Sequence, residues 1–152
     1  MEQLADKVEQ LHERQYELAN IIKADERRIT TLNEHLVNVE TRKQHMKVYK
    51  KYKALDPKKR GAYADKHSEE IAAYESACDY LKGVLNGRTD IPEKAWRAAR
   101  DMKLAERYAH CDEYYSLKED MRMVEVLRRG AENIMRDIAP ERMATRARDM
   151  EI

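Results

Sequence analysis

The first 56 residues contain neither proline nor glycine, and apolar residues recur through them every seven positions. Leu4, Leu11, Leu18, Leu32, Val39 and Met46 form one row, interrupted only by Asp25. Val8, Ile22, Ile29 and Leu36 form a second row between them, with Gln15 and Lys43 as polar members. Two rows offset by three or four residues make the a/d seam of a coiled coil, here over about six heptads. The pattern predicts one helix over residues 1–55, roughly 75 Å long at 1.5 Å per residue. Such a helix buries its stripe only against a partner.

Punctuation divides the remainder. Asp56-Pro57 ends the first helix, because the residue before proline is driven out of the α region and proline lacks a donor. Asp56 is then placed to cap a second helix with Pro57 at its first position. Tyr63, His67, Ile71, Tyr74, Cys78, Leu81 and Leu85 share a face of this segment, residues 57–86, and Gly61 is a candidate break. Asn86-Gly87 is a C-terminal stop. Asp90 and Glu93 have the spacing of a capping box, with Pro92 in the first turn. A third helix is expected over 91–138, with an inward stripe of Leu104, Tyr108, Cys111, Tyr114, Leu117, Met121, Val124, Leu127, Ala131, Ile134 and Ile138. Pro140 is expected to end it, leaving 139–152 as a tail of undecided structure. Trp96 is expected to anchor the third helix against the middle segment.

The predicted fold is therefore all-α: a long antiparallel helical hairpin with a coiled-coil-like stem and a short helical tip, as one domain of 152 residues. A homodimer through the long helices is the competing arrangement. The composition fits solvated helices, with 39% charged residues, four glycines, three prolines and no phenylalanine. An apolar content of 42% is too high for simple disorder. No apolar run reaches the roughly 20 residues of a membrane span. The polar, amphipathic start has no signal-peptide character. Cys78 and Cys111 lie far apart without a partner motif, which fits reduced core thiols and a cytoplasmic protein.

Chemistry-bearing motifs are few. The five histidines form no pair at metal-ligand spacing, and His110, Cys111 and Asp112 point about 100° apart on a helix. No glycine-rich phosphate loop is present. Tyr114-Tyr115 lacks a converging base or metal ligand. The expectation is a protein with no enzymatic activity, no cofactor and no metal.

The charge distribution is uneven. Between Arg42 and Arg60 nine basic residues face Asp56 alone, a local charge of +8 in a chain whose total is +1. Tyr49, Tyr52 and Tyr63 are interleaved with them. Lysines with accessible rings can follow a phosphate backbone and stack on unpaired bases. Lysines at a helix end also offset its dipole and cover apolar ring faces with their stems. The candidate binding surface is Lys47, Tyr49, Lys50, Lys51, Tyr52, Lys58, Lys59 and Arg60, and the candidate partners are single-stranded DNA or a nucleic-acid-binding protein.

The stretch VYKKYKALDPKKRGAYADKHSEEIAAYESACDYLK, from Val48 to Lys82, resembles the non-catalytic C-terminal helical region of relaxases from mobilisable plasmids and conjugative elements. The string His67-Ser68-Glu69-Glu70-Ile71, followed by Tyr74-Glu75-Ser76-Ala77, carries the likeness, with Ile91-Pro92 and the run from Tyr114-Tyr115 to Asn133-Ile134 behind it. Neither the catalytic tyrosine motif nor the histidine cluster of the relaxase nicking domain is found here. The resemblance implies a helical module that holds DNA, the relaxosome or the coupling machinery, either as part of a longer relaxase or as a stand-alone relative. An alternative expectation is an inhibitor of a host defence nuclease, of the anti-CRISPR kind, that binds its target through helices.

Overall fold

A computed structural model describes the backbone of residues 2–150 and the side chains of 2–137. The protein is all-α, and the described residues contain four helices and no strand: α1 Glu2–Ala54, α2 Pro57–Lys66, α3 Ser68–Leu85 and α4 Glu93–Met150. The chain forms two compact units, one from residues 1–23 and 108–152, the other from residues 24–107. Each contains a segment of α1 and a segment of α4.

In the first unit the segments run antiparallel. Arg14 of α1 pairs with Glu113 of α4 at 2.9 Å, and Val8, nearer the N-terminus, lines a groove with Tyr115 and Val126. Leu11 and Leu18 are its buried apolar side chains among the described residues, Leu18 completely. In the second unit the order is again antiparallel, with Glu26 against Arg107, His35 against Trp96, and Lys43 against Glu93. Here α3 also lies on α1, and Ile29, Leu32, Val39, Ile71, Ala77 and Leu81 are buried. Nothing in α2 is buried.

Asp25 does not leave the seam that it interrupts in sequence. It is only 3% exposed, as buried as the apolar residues before and after it in the row. Lys103 brings its ammonium to 3.5 Å from the Asp25 carboxylate. A buried carboxylate needs such a partner, since desolvating an unpaired charge costs several kcal/mol or more. Turning Lys103 inward turns the next residue about 100° away. Leu104, expected in the inward stripe, is accordingly 44% exposed; Tyr108, also expected there, is 77% exposed. Leu127 and Ile134 are exposed as well. Cys111, Tyr114, Leu117, Met121 and Val124 are half-buried, as expected, and no described residue of α4 is fully buried. Ile138 lies outside the residues whose side chains are described.

Three helix boundaries depart from the sequence reading, and a fourth, at Asp56-Pro57, falls as expected but without its side-chain cap. Asp56 occupies the N-cap of α2, but its side chain makes no capping bond. Its carbonyl instead accepts from Lys59 and Arg60 at 2.9 and 3.2 Å. The middle segment breaks at His67 (φ −119°, ψ 27°) rather than at Gly61. The bonds from His67 to the Tyr63 carbonyl and from Ile71 to the His67 carbonyl are both 3.0 Å, so the turn is made at one residue with the flanking ladder intact. The capping box at Asp90 is replaced: Glu93 turns its carboxylate to Lys43 at 2.5 Å and Arg97 at 2.9 Å. Tertiary ion pairing takes the side chain that the local pattern assigns to the cap. Finally, α4 continues through Pro140 to Met150. Proline in a helix interior removes one bond and costs about 3 kcal/mol, which the long flanking helical run offsets. Asn86 does end α3, in the left-handed conformation at φ 47°, with Gly87 following at φ 92°.

Three helices of the second unit meet at His35. Its Nδ1 lies 2.7 Å from the Tyr80 hydroxyl of α3, and its ring centroid is 4.7 Å from that of Trp96 in α4. Trp96 thus anchors the start of α4 on α1. Burial, and then Arg28, push the His35 pKa below its ordinary value, with Glu34 opposing. The unfolded chain takes up this proton more readily than the folded one. The stability this site contributes is complete above about pH 6.5 and is lost as pH falls through the folded-state value. Urea midpoints should therefore drop more steeply between about pH 7 and pH 5 for the parent than for His35→Gln. Equal slopes would contradict a buried neutral imidazole.

Candidate nucleic-acid interface

The basic stretch spans the last two turns of α1, the Leu55-Asp56 link and the first turn of α2. Lys47, Lys50 and Lys51 recur at helical spacing on one face of α1 and are exposed, as are Lys53, Lys58 and Lys59. Among the described residues, none of these six forms an ion pair. No carboxylate among the described residues therefore neutralises them by contact, unlike Lys43, which Glu93 holds.

The other predicted members have different roles. Arg60 is half-buried and donates from Nε to the Leu55 carbonyl at 2.9 Å and from Nη2 to the Lys53 carbonyl at 3.0 Å. Carbonyls at a helix C-terminus have no intrahelical donor, and Arg60 supplies one. It fixes the link that holds the lysines of α1 and α2 together. Tyr49 stacks on Tyr74 of α3 with centroids 4.3 Å apart and planes 23° from parallel. Tyr52 lies tilted beside Tyr49 at 6.2 Å. Lys53 sits over both rings, at 5.5 and 5.8 Å, and Lys51 over Tyr63 at 5.8 Å. The Tyr63 hydroxyl donates to the Val48 carbonyl at 3.4 Å. Burial, then a hydrogen bond with Cys78, push the Tyr74 pKa upward.

The tyrosines are thus a floor under the lysines rather than a free stacking platform. The face of Tyr49 that would receive an unpaired base is occupied by Tyr74. Sequence reasoning missed this stack, although Tyr74 lies on the same inward face as Ile71 and Cys78. It also missed the clamp by Arg60, whose signal is an arginine a few residues past a helix end.

Among the described residues there is no group of three or more His, Cys, Asp or Glu side chains that could hold a metal ion. Cys78 and Cys111 are half-buried free thiols. No helix among the described residues is long and apolar enough to cross a membrane. Compared with protein-family models, curated proteins and solved structures, the chain matches none.

The stack makes a specific expectation. Tyr49→Ala should lower the melting temperature, with a loss of about 1–2 kcal/mol from the ring pair and its burial. It should weaken binding to paired and unpaired strands to the same degree. A variant of unchanged stability that loses only single-stranded binding would show that the ring is free.

Proposed function

We propose that this protein is a non-catalytic helical interaction module that binds nucleic acid along its phosphate backbone, through the lysines flanking the α1–α2 link. The observation that carries this reading is the set of six exposed lysines without an ion-pair partner among the described residues. Lysines held in no ion pair can neutralise backbone phosphates, and each phosphate neutralised releases cations condensed on the nucleic acid. The closely packed ring floor supports a rigid site, because Arg60 and the Tyr49–Tyr74 stack hold the lysine-bearing turns in place.

The reading takes in the resemblance of the Val48–Lys82 stretch to the helical region of mobilisation relaxases. Under it, the module belongs to a mobile genetic element and holds DNA while a separate domain or protein performs the cleavage. Binding is charge-driven and indifferent to sequence, since nothing at the link presents a fork of donors to base edges.

Fluorescence anisotropy with labelled oligonucleotides tests this. Affinity should fall linearly on a log–log plot with salt, with a slope of roughly −0.9 per neutralised phosphate on duplex and roughly −0.7 on single strands. The variant Lys50→Glu/Lys51→Glu/Lys58→Glu/Lys59→Glu should lose binding while keeping its helical circular dichroism. Equal affinity of parent and variant would leave the basic stretch as a solvated helix end.

A further inference from the structure

The rings of the basic stretch are engaged by the protein itself. Tyr49 carries Tyr74 on its face, with centroids 4.3 Å apart and planes 23° from parallel. Lys53 lies over Tyr49 at 5.5 Å and over Tyr52 at 5.8 Å. Tyr63 holds Lys51 at 5.8 Å and the His67 ring at 4.4 Å. Tyr49, Tyr52 and Tyr63 are all half-buried. A base from an unpaired strand gains affinity by laying its face on such a ring. Here it would compete with Tyr74, His67 or a lysine for that place. Base edges fare no better. Arg60 has the forked donors that suit a guanine edge, but it spends Nε and Nη2 on the Leu55 and Lys53 carbonyls. The exposed lysines, Lys47, Lys50, Lys51, Lys53, Lys58 and Lys59, remain for a ligand. An ammonium is a point charge, suited to phosphate rather than to a base edge of fixed geometry.

We propose that this site takes double-stranded nucleic acid in preference to single strands. The proposal rests on the reading that these lysines bind a phosphate backbone. Given that reading, the choice of strand is decided by what each form offers an ammonium and what it offers a ring. A duplex carries one charge per about 1.7 Å of its axis, against about 3.4 Å for one strand, and gives a salt slope of about 0.9 per neutralised phosphate against about 0.7. The compensating advantage of a single strand is its unpaired bases, and the occupied rings withhold it. Rigidity acts in the same direction. Lys47 and Lys51 stand one turn apart, about 6 Å along α1, and Arg60 ties the first turn of α2 to the end of α1. A stiff duplex meets such a ridge as it is, whereas a flexible strand must be ordered along it, which costs affinity.

The full chain is titrated with a duplex and with an oligothymidylate of the same length, each over a range of salt concentrations. With about five phosphates neutralised, and the electrostatic contribution vanishing near about 1 M salt, the two slopes favour the duplex about tenfold at about 0.1 M and about threefold at about 0.3 M. Stacking is far less sensitive to salt than ion release, so a site that stacks bases would favour the single strand by a ratio that widens as salt rises. Tyr52→Ala removes the ring outside the Tyr49–Tyr74 pair and should leave the duplex preference within about twofold of the parent. Equal or tighter binding of the oligothymidylate, or a Tyr52→Ala variant that loses only single-strand affinity, would overturn the duplex preference and leave the backbone-binding reading standing. Failure to bind either form, or binding of both that survives Lys50→Glu/Lys51→Glu/Lys58→Glu/Lys59→Glu, would overturn both.

Discussion

One row of side chains on α1 organises the packing of both units. From Leu11 through Leu18, Asp25 and Leu32 to Val39, every seventh residue is buried. A single helix cannot remove such a row from water, and two helices do so only along a narrow strip. In the first unit α4 alone covers it, and among the described residues two apolar side chains are buried there. In the second, α3 and α4 cover it together, and the buried set grows with the third helix. In that second unit the buried Asp25 carboxylate lies 3.5 Å from the Lys103 ammonium, and Leu104, the next residue, faces solvent. Glu106, and after it Asp25, hold the Lys103 ammonium above its usual range. A polar residue in the seam thus acts as a register mark rather than a fault.

The strongest periodicities and the strongest stops were legible in the residues. The row on α1, the end at Asp56-Pro57, the left-handed turn at Asn86-Gly87 and the buried Ile71 and Leu81 all follow from spacing and backbone chemistry. What escaped depended on residues far apart in the chain. Glu93 looks like a capping residue until Lys43 is brought beside it. Leu104 looks like a seam residue until Asp25 claims Lys103. The half-buried ring of Tyr49 is indistinguishable in sequence from an exposed one. Pro140 shows a different kind of miss, since a local penalty does not by itself end a long helix.

The candidate interface shows the same division. Its charge was legible, because lysines at a helix end remain exposed in almost any packing. Its geometry was not, because it comes from an arginine that reaches back to satisfy helix-end carbonyls and from a tyrosine stack between α1 and α3. Under the proposed function, the expected ligand chemistry shifts accordingly, from base stacking on open rings toward phosphate contacts by a lysine ridge on a rigid aromatic floor.

Native-state amide exchange, resolved by residue, tests the central role of the α1 row most directly. Protection should be greatest in α1 from Ile29 to Val39 and in α3 from Ile71 to Leu81, where buried side chains are densest. It should be lower around Leu11 and Leu18, which one helix covers, and lowest in α2, which buries nothing. Uniformly weak protection along α1, or an α2 as protected as the centre of α1, would contradict this account.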